Sequence, residues 1–256
     1  MSEEQGKYGN TWDELAGAIS GSSDPAYIQE KKQVEQLSTE WFKQRLGKFT
    51  ASRMIDVMGR GRGELFGAKA VTYVQELIIE RTLSEEGKQI YIEQQMSREF
   101  VQTRWGNKYE PEARAEFEKW IGNEVDEVTF KQSPIPYFGG SADFRIPIGN
   151  IPGEIKCPYN VLIHQANLDL QLTGIDRKHT YYPQIQAHMI NFDAPYCLFV
   201  SYDPRRDGAM KLAVIKVERD QPFIDEMLER MAICEAAINA NLFDGVPVRV
   251  SLNKVA

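Results

Sequence analysis

The chain has 256 residues, 42% of them hydrophobic and 26% charged, with a formal net charge of −7 and a pI near 5.2. That length supports one large domain with its own core, and the acidic balance speaks against a general nucleic-acid coat protein, which would be basic. No apolar run approaches the ~18 residues of a bilayer span, the first ten residues lack signal-peptide blocks, and three scattered cysteines (Cys157, Cys197, Cys234) suit neither a disulfide framework nor a zinc site, so a cytoplasmic protein with reduced thiols is expected.

In chain order, residues 1–25 are rich in Gly, Ser and acid, with Trp12, Leu15 and Ile19 among few apolar groups. They predict a loosely held tail or short docking helix, and a single folded domain over 26–256. The stretch "KQRLGKFTASRMIDVMGRGR", residues 43–62, carries six cations against Asp56 alone. It is a candidate anion-binding face; the alternative is a solvated helix face followed by a glycine loop. Residues 71–83 place Val71, Val74, Leu77 and Ile78 at helical spacing. A longer pattern runs from about Ile92 to Ile121 through Trp105, Tyr109, Ala113 and Phe117, and Pro111 predicts a break or kink inside it. Trp105 and Trp120 are expected in the core.

After Gly122 the segments "EVTF", "SPIPYF", "SADFRIPI" and "GEIKC" are short and β-rich, bounded by Gly, Pro and Asn. A helix is expected over 183–191, strands in "PYCLFVSYDP" and "MKLAVIKVERD", and a closing helix over 222–242. The order predicts an α/β fold, a single domain with a central mixed β-sheet flanked by helices. His164, His179 and His188 share no metal-ligand spacing and read as ordinary.

The hairpin "GGSADFRIPIGNIPGEIKCP", residues 139–158, carries the chemistry. A turn centred between Ile148 and Gly149 sets Asp143 opposite Glu154, with Cβ atoms about 5 Å apart. Because strand side chains alternate, Lys156 shares the face of Glu154 while Ile155 points into the core. Two carboxylates and a lysine then converge, a set that a hard divalent cation such as Mg²⁺ would stabilise and that could activate water. The alternative is an exposed hairpin with a weak ion pair.

Asp-x10-Glu-x-Lys after a helix bearing an acid resembles the PD-(D/E)xK nuclease superfamily. "RWGNKYEPEARAEFE" (104–118), "QRLGKFTAS" (44–52), "YPQIQAHM" and "YDPR…VIKVERD" follow the order of phage recombination exonucleases of the lambda exonuclease and YqaJ type. The likeness spans about residues 30–235. It implies a restriction-endonuclease-like core, with Glu110 as the helix carboxylate, Asp143, Glu154 and the Ile155 carbonyl as metal ligands, Lys156 as the catalytic lysine and Gln184 beside it. It also implies a terminal 5′-phosphate pocket of Arg45, Ser52 and Ser141, a cofactor of Mg²⁺ with Mn²⁺ possible, and 5′-to-3′ digestion of one strand of linear duplex DNA. A homotrimeric ring around the DNA and a single-strand annealing protein as partner complete the implication. The family pattern has Pro, Asp, Gly where this chain has Ala142, Asp143 and Phe144.

Overall fold

The β-rich stretch after Gly122 folds into parts of two sheets rather than one. The computed structural model describes residues 38–97, 101–244 and 252–254; the expected tail and its boundary near residue 26 lie outside the described residues. The elements are α1 (Thr39–Arg45), β1 (Phe49–Thr50), α2 (Met54–Met58), α3 (Ala68–Thr82), α4 (Glu85–Ser97), α5 (Val101–Ile121), β2 (Lys131–Gln132), β3 (Phe138–Gly140), β4 (Phe144–Ile146), β5 (Ile151–Lys156), α6 (Val161–Thr173), α7 (Tyr182–Phe192), β6 (Tyr196–Tyr202), β7 (Leu212–Glu218) and α8 (Gln221–Asp244). A small sheet runs β1-β3-β2, and a mixed four-stranded sheet runs β4-β5-β6-β7.

Within the larger sheet, β4 and β5 form the expected hairpin. Phe144 pairs with Gly153 and Ile146 with Ile151, so extending the ladder by one residue sets Asp143 opposite Glu154. The turn is made by Gly149 and Asn150, both at positive φ, the first at 79° and the second at 55°; glycine and asparagine enter the left-handed region at least cost. β5 then pairs parallel with β6, which forces the crossover through α6 and α7, and β6 pairs antiparallel with β7.

The sheet is covered on both faces, as parallel pairing requires. Phe199, Ile215 and Val217 point to one side and pack with Ile185, Ala187 and Met189 of α7 and Met227 and Met231 of α8. Ile155, Leu198, Val200 and Val214 point to the other and pack with Ala113 and Phe117 of α5. β5 is buried from Ile151 to Ile155. Asn160 caps α6 by accepting from the Leu162 amide at 2.9 Å, and Pro183 in the first turn of α7 fits where the amide has no helical partner.

Three expectations on the elements are corrected. Of the 92–121 pattern, α4 is described to Ser97 and α5 from Val101, residues 98–100 lying outside the described residues, and α5 continues through Pro111 without the expected break. Pro111 is exposed, so its ring lies on the solvent side, and the helix loses one amide without losing its packed face. "EVTF" is not a strand; only the neighbouring Asp126 bridges to Arg145. Trp120 is 44% exposed, lying over Phe117 at 6.0 Å rather than in the core, while Trp105 is half-buried. α6, between Lys156 and residue 183, is an element that the sequence pattern does not announce.

Candidate active site

Glu154 is the centre of the site. Alternation on β5 turns Glu154 and Lys156 away from the Ile155 face and toward α7, and Glu154 is 1% exposed. Its Oε1 accepts from Lys156 Nζ and from Gln184 Nε2 at 2.6 Å, and its Oε2 is bonded to His188 Nε2 at 2.8 Å. Asp143, also buried, accepts the Ile155 amide at Oδ2 over 2.6 Å and donates its own amide to the Gly153 carbonyl. The Asp143 carbonyl accepts from Arg114 of α5 at 2.9 Å; Arg114 also pairs with Glu110 at 3.5 Å, which brings the helix carboxylate to the same spot.

The electrostatics follow from burying several acids around few cations. Burial alone would raise Glu154, but the charge of Lys156 and the bond to His188 win and hold its pKa at about 2. For Lys156, burial opposes its charge, yet Glu154 and Asp143 more than offset this and raise its pKa above the ordinary lysine value. Asp143 is pushed well above the usual carboxylate range, first by burial and then by the charge of Glu154. Glu110 is raised by burial, against the pull of Arg114. The acids therefore outnumber the charge that Lys156 and Arg114 can balance.

That excess and the donor set suit a hard cation. A carboxylate offers about four lone-pair sites. Glu154 uses three of them on Lys156, Gln184 and His188, and Asp143 Oδ1 takes no protein donor among the described residues. Among the described residues no group of three or more His, Cys, Asp and Glu is arranged to hold a metal. Two carboxylates with a main-chain carbonyl, leaving positions for water, is the pattern Mg²⁺ favours.

The second constellation lies where β1 and the small sheet meet α1. Arg45 donates to Ser52 Oγ at 3.4 Å, and its guanidinium stacks 4.0 Å over the ring of Trp41, whose indole N–H donates to Ser141 Oγ at 2.9 Å. Arg45, Ser52 and Ser141 are thus joined through Trp41. Ser141 precedes Asp143 by two residues, so the two constellations share one loop. Burial lowers the Arg45 pKa to about 10, and no carboxylate lies within ion-pair distance of it among the described residues. By contrast, Arg53 is spent on Asp56 and Glu76, and Arg60 on Glu226. The 43–62 stretch is therefore neither wholly an anion-binding face nor wholly a solvated one.

Each of the nine expected site residues falls into one of these two groups. His188, expected to be ordinary, is a correction: it is fully buried against Glu154. Trp41 and Arg114 were not singled out. All three missed residues stand four positions along a helix from an expected one, His188 from Gln184, Trp41 from Arg45 and Arg114 from Glu110. That is the spacing at which helical side chains become neighbours, and it was the available signal.

A mixed sheet with a carboxylate–carboxylate–lysine hairpin at its second strand, an acid-bearing helix on one face and a glutamine-bearing helix on the other defines the restriction-endonuclease-like fold class. The YqaJ-like viral recombinase domain model matches residues 40–193, and the chain belongs to that family. Among solved structures it is similar to an alkaline exonuclease from Laribacter hongkongensis, at 30% identity and a TM-score of 0.64, over 80% of this chain and 94% of that one. The same enzyme in complex with dAMP aligns at 31% identity, a TM-score of 0.65 and the same coverage. A phage-related exonuclease from Haemophilus somnus 129PT has the same fold at 14% identity and a TM-score of 0.59, over 80% of this chain and 99% of that one. No curated protein sequence matches significantly.

Proposed function

We propose that the protein is a divalent-metal-dependent 5′-to-3′ exonuclease that degrades one strand of linear double-stranded DNA and leaves 3′ overhangs for recombination by strand annealing. One observation carries this: a buried carboxylate pair with a lysine stands one loop away from an arginine that stacks on Trp41, donates to Ser52 and has no ion-pair partner among the described residues, with Ser141 held by the Trp41 indole. The relative named as an alkaline exonuclease supports an exonuclease activity.

In this account Asp143, Glu154 and the Ile155 carbonyl hold Mg²⁺, with Mn²⁺ as the alternative ion. When bound, the cation acidifies water and neutralises charge developing on the phosphate. Lys156, cationic between two carboxylates, orients the attacking water and stabilises the phosphorane charge. Gln184 keeps Glu154 and Lys156 in register, and Glu110 is the third acid at the scissile phosphate. Arg45, Ser52 and Ser141 receive the terminal 5′-phosphate; a planar guanidinium with hydroxyl donors suits a phosphate dianion. Water forms the new P–O bond while the bond from phosphorus to the 3′ oxygen of the terminal nucleotide breaks. Each turnover releases a 5′-mononucleotide and leaves a fresh 5′-phosphate for the same pocket.

A homotrimeric ring with a basic inner face would reconcile a pI near 5.2 with DNA binding, and a single-strand annealing protein is the partner that would use the overhang. No described helix is long and apolar enough to cross a membrane. The test is digestion of a linear duplex beside a closed circle of the same DNA, with Mg²⁺ and with EDTA. Mg²⁺-dependent loss of the linear molecule alone is expected; a nicked circle would replace the exonuclease by an endonuclease, and an untouched linear duplex would leave a DNA-end binder.

A further inference from the structure

We propose that His188 is a positioning residue that fixes the plane of the Glu154 carboxylate from beneath the site, and with it the place where the metal is held. The inference deepens the nuclease account and rests on it. Gln184 and His188 lie one turn apart on the same face of α7, and each takes a different oxygen of Glu154, Gln184 at Oε1 over 2.6 Å and His188 at Oε2 over 2.8 Å. A carboxylate held at one oxygen still swings about its terminal torsion, whose profile is broad and soft. Held at both, it presents the remaining lone pair in one direction.

His188 is 0% exposed, so it does not reach DNA. Its ring makes one hydrogen bond among the described residues, because Nδ1 is buried without a partner. An imidazole buried with one nitrogen unsatisfied is a poor way to fill a core that leucine or phenylalanine would fill without that cost. What the ring provides at this position is the donor to Glu154. An ionised carboxylate only accepts, so Nε2 carries the hydrogen. Partners of this kind, bonded to a metal ligand and not to the metal, commonly set affinity and activity by 10- to 100-fold.

The test is a Mn²⁺ titration without DNA, followed by electron paramagnetic resonance, on the full chain and on His188→Phe and His188→Gln. Phenylalanine keeps the volume and removes the donor; glutamine keeps an amide donor of similar reach. Expected are about 10- to 100-fold weaker Mn²⁺ binding for His188→Phe, recovery to within a few-fold for His188→Gln, and in nuclease assays a fall in kcat with the KM for DNA unchanged. Equal Mn²⁺ affinity in His188→Phe and the parent, or no recovery in His188→Gln, overturns the inference and leaves the nuclease account standing. A parent that takes up no Mn²⁺ overturns both. Should circular dichroism show His188→Phe unfolded, His188→Asn, whose amide stops short of Glu154, decides in its place by the same criteria.

Discussion

Glu154 stays ionised where burial alone would neutralise it, because Lys156 and His188 surround it with positive charge and donors. Removing Lys156 therefore acts on charge and orientation and leaves the fold of β5 in place. Lys156→Ala is expected to lower turnover by about 10²- to 10⁴-fold while Mn²⁺ and DNA binding stay near those of the parent; loss of metal binding would make the lysine a structural residue instead. Arg45→Ala is expected to slow digestion by about 10- to 100-fold on 5′-phosphorylated ends, the worth of one or two charge-assisted bonds. Equal slowing on 5′-hydroxyl ends would remove the phosphate pocket from the account. At this scale the sequence was informative where strand geometry is local: the hairpin register placed Asp143 opposite Glu154, and alternation placed Lys156 on the face of Glu154. For Trp41, Arg114 and His188 it offered only the four-residue helical spacing to Arg45, Glu110 and Gln184, because their contacts to Ser141, the Asp143 carbonyl and Glu154 lie on other elements.

At the scale of the element, the β4–β5 hairpin shows how the departure at Phe144 is absorbed. Phe144 lies directly across from Gly153, and a Cβ on Gly153 would come within 1.9 Å of its ring. The glycine is thus the space that lets the aromatic ring fold over the ladder and meet Phe117 at 4.6 Å. Gly153→Ala is expected to destabilise the protein by about 1–3 kcal/mol through overpacking, read from chemical denaturation, and to lower activity by shifting Asp143 against Glu154. A neutral effect on stability would mean that Phe144 has another rotamer available. Beyond β6, buried Asp203 accepts from Arg205 at 2.7 and 2.9 Å, and its pKa is depressed by those bonds despite burial, which acts to raise it. A depressed carboxyl stabilises the fold above its unfolded pKa of about 3.9, and the contribution disappears as pH falls through the lower folded value. Asp203→Asn should therefore show a shallower loss of thermal stability than the parent between about pH 5 and pH 2; parallel curves would contradict the ion pair's role. The hairpin register and the last two strands were readable because their patterns are local. The continuity of α5 through Pro111 was not, because the proline reads as a breaker and only the structure shows that it lies on the exposed side of the helix.

At the scale of the molecule, the order helix, hairpin, crossover, strand pair and closing helix gave the fold class in advance, since a parallel β5–β6 pair needs a covered crossover and the chain supplies one. The small β1-β3-β2 sheet was not foreseen: β1 and β2 are two residues each, too short for any period, and they exist through pairing with β3. That sheet nevertheless joins the arginine pocket to the carboxylate hairpin, since β3 leads through Ser141 into Asp143. The account's central claim is that these two constellations work as one site on a DNA end. It is tested most directly by a linear duplex with a 5′-phosphate on one strand and a 5′-hydroxyl on the other, each strand separately labelled, digested by the parent and by Asp143→Asn. The account predicts Mg²⁺-dependent release of 5′-mononucleotides from the phosphorylated strand first, a 3′ overhang on the surviving strand, and no release by Asp143→Asn. Release from 3′ ends, equal attack on both strands, or undiminished activity in Asp143→Asn would contradict it.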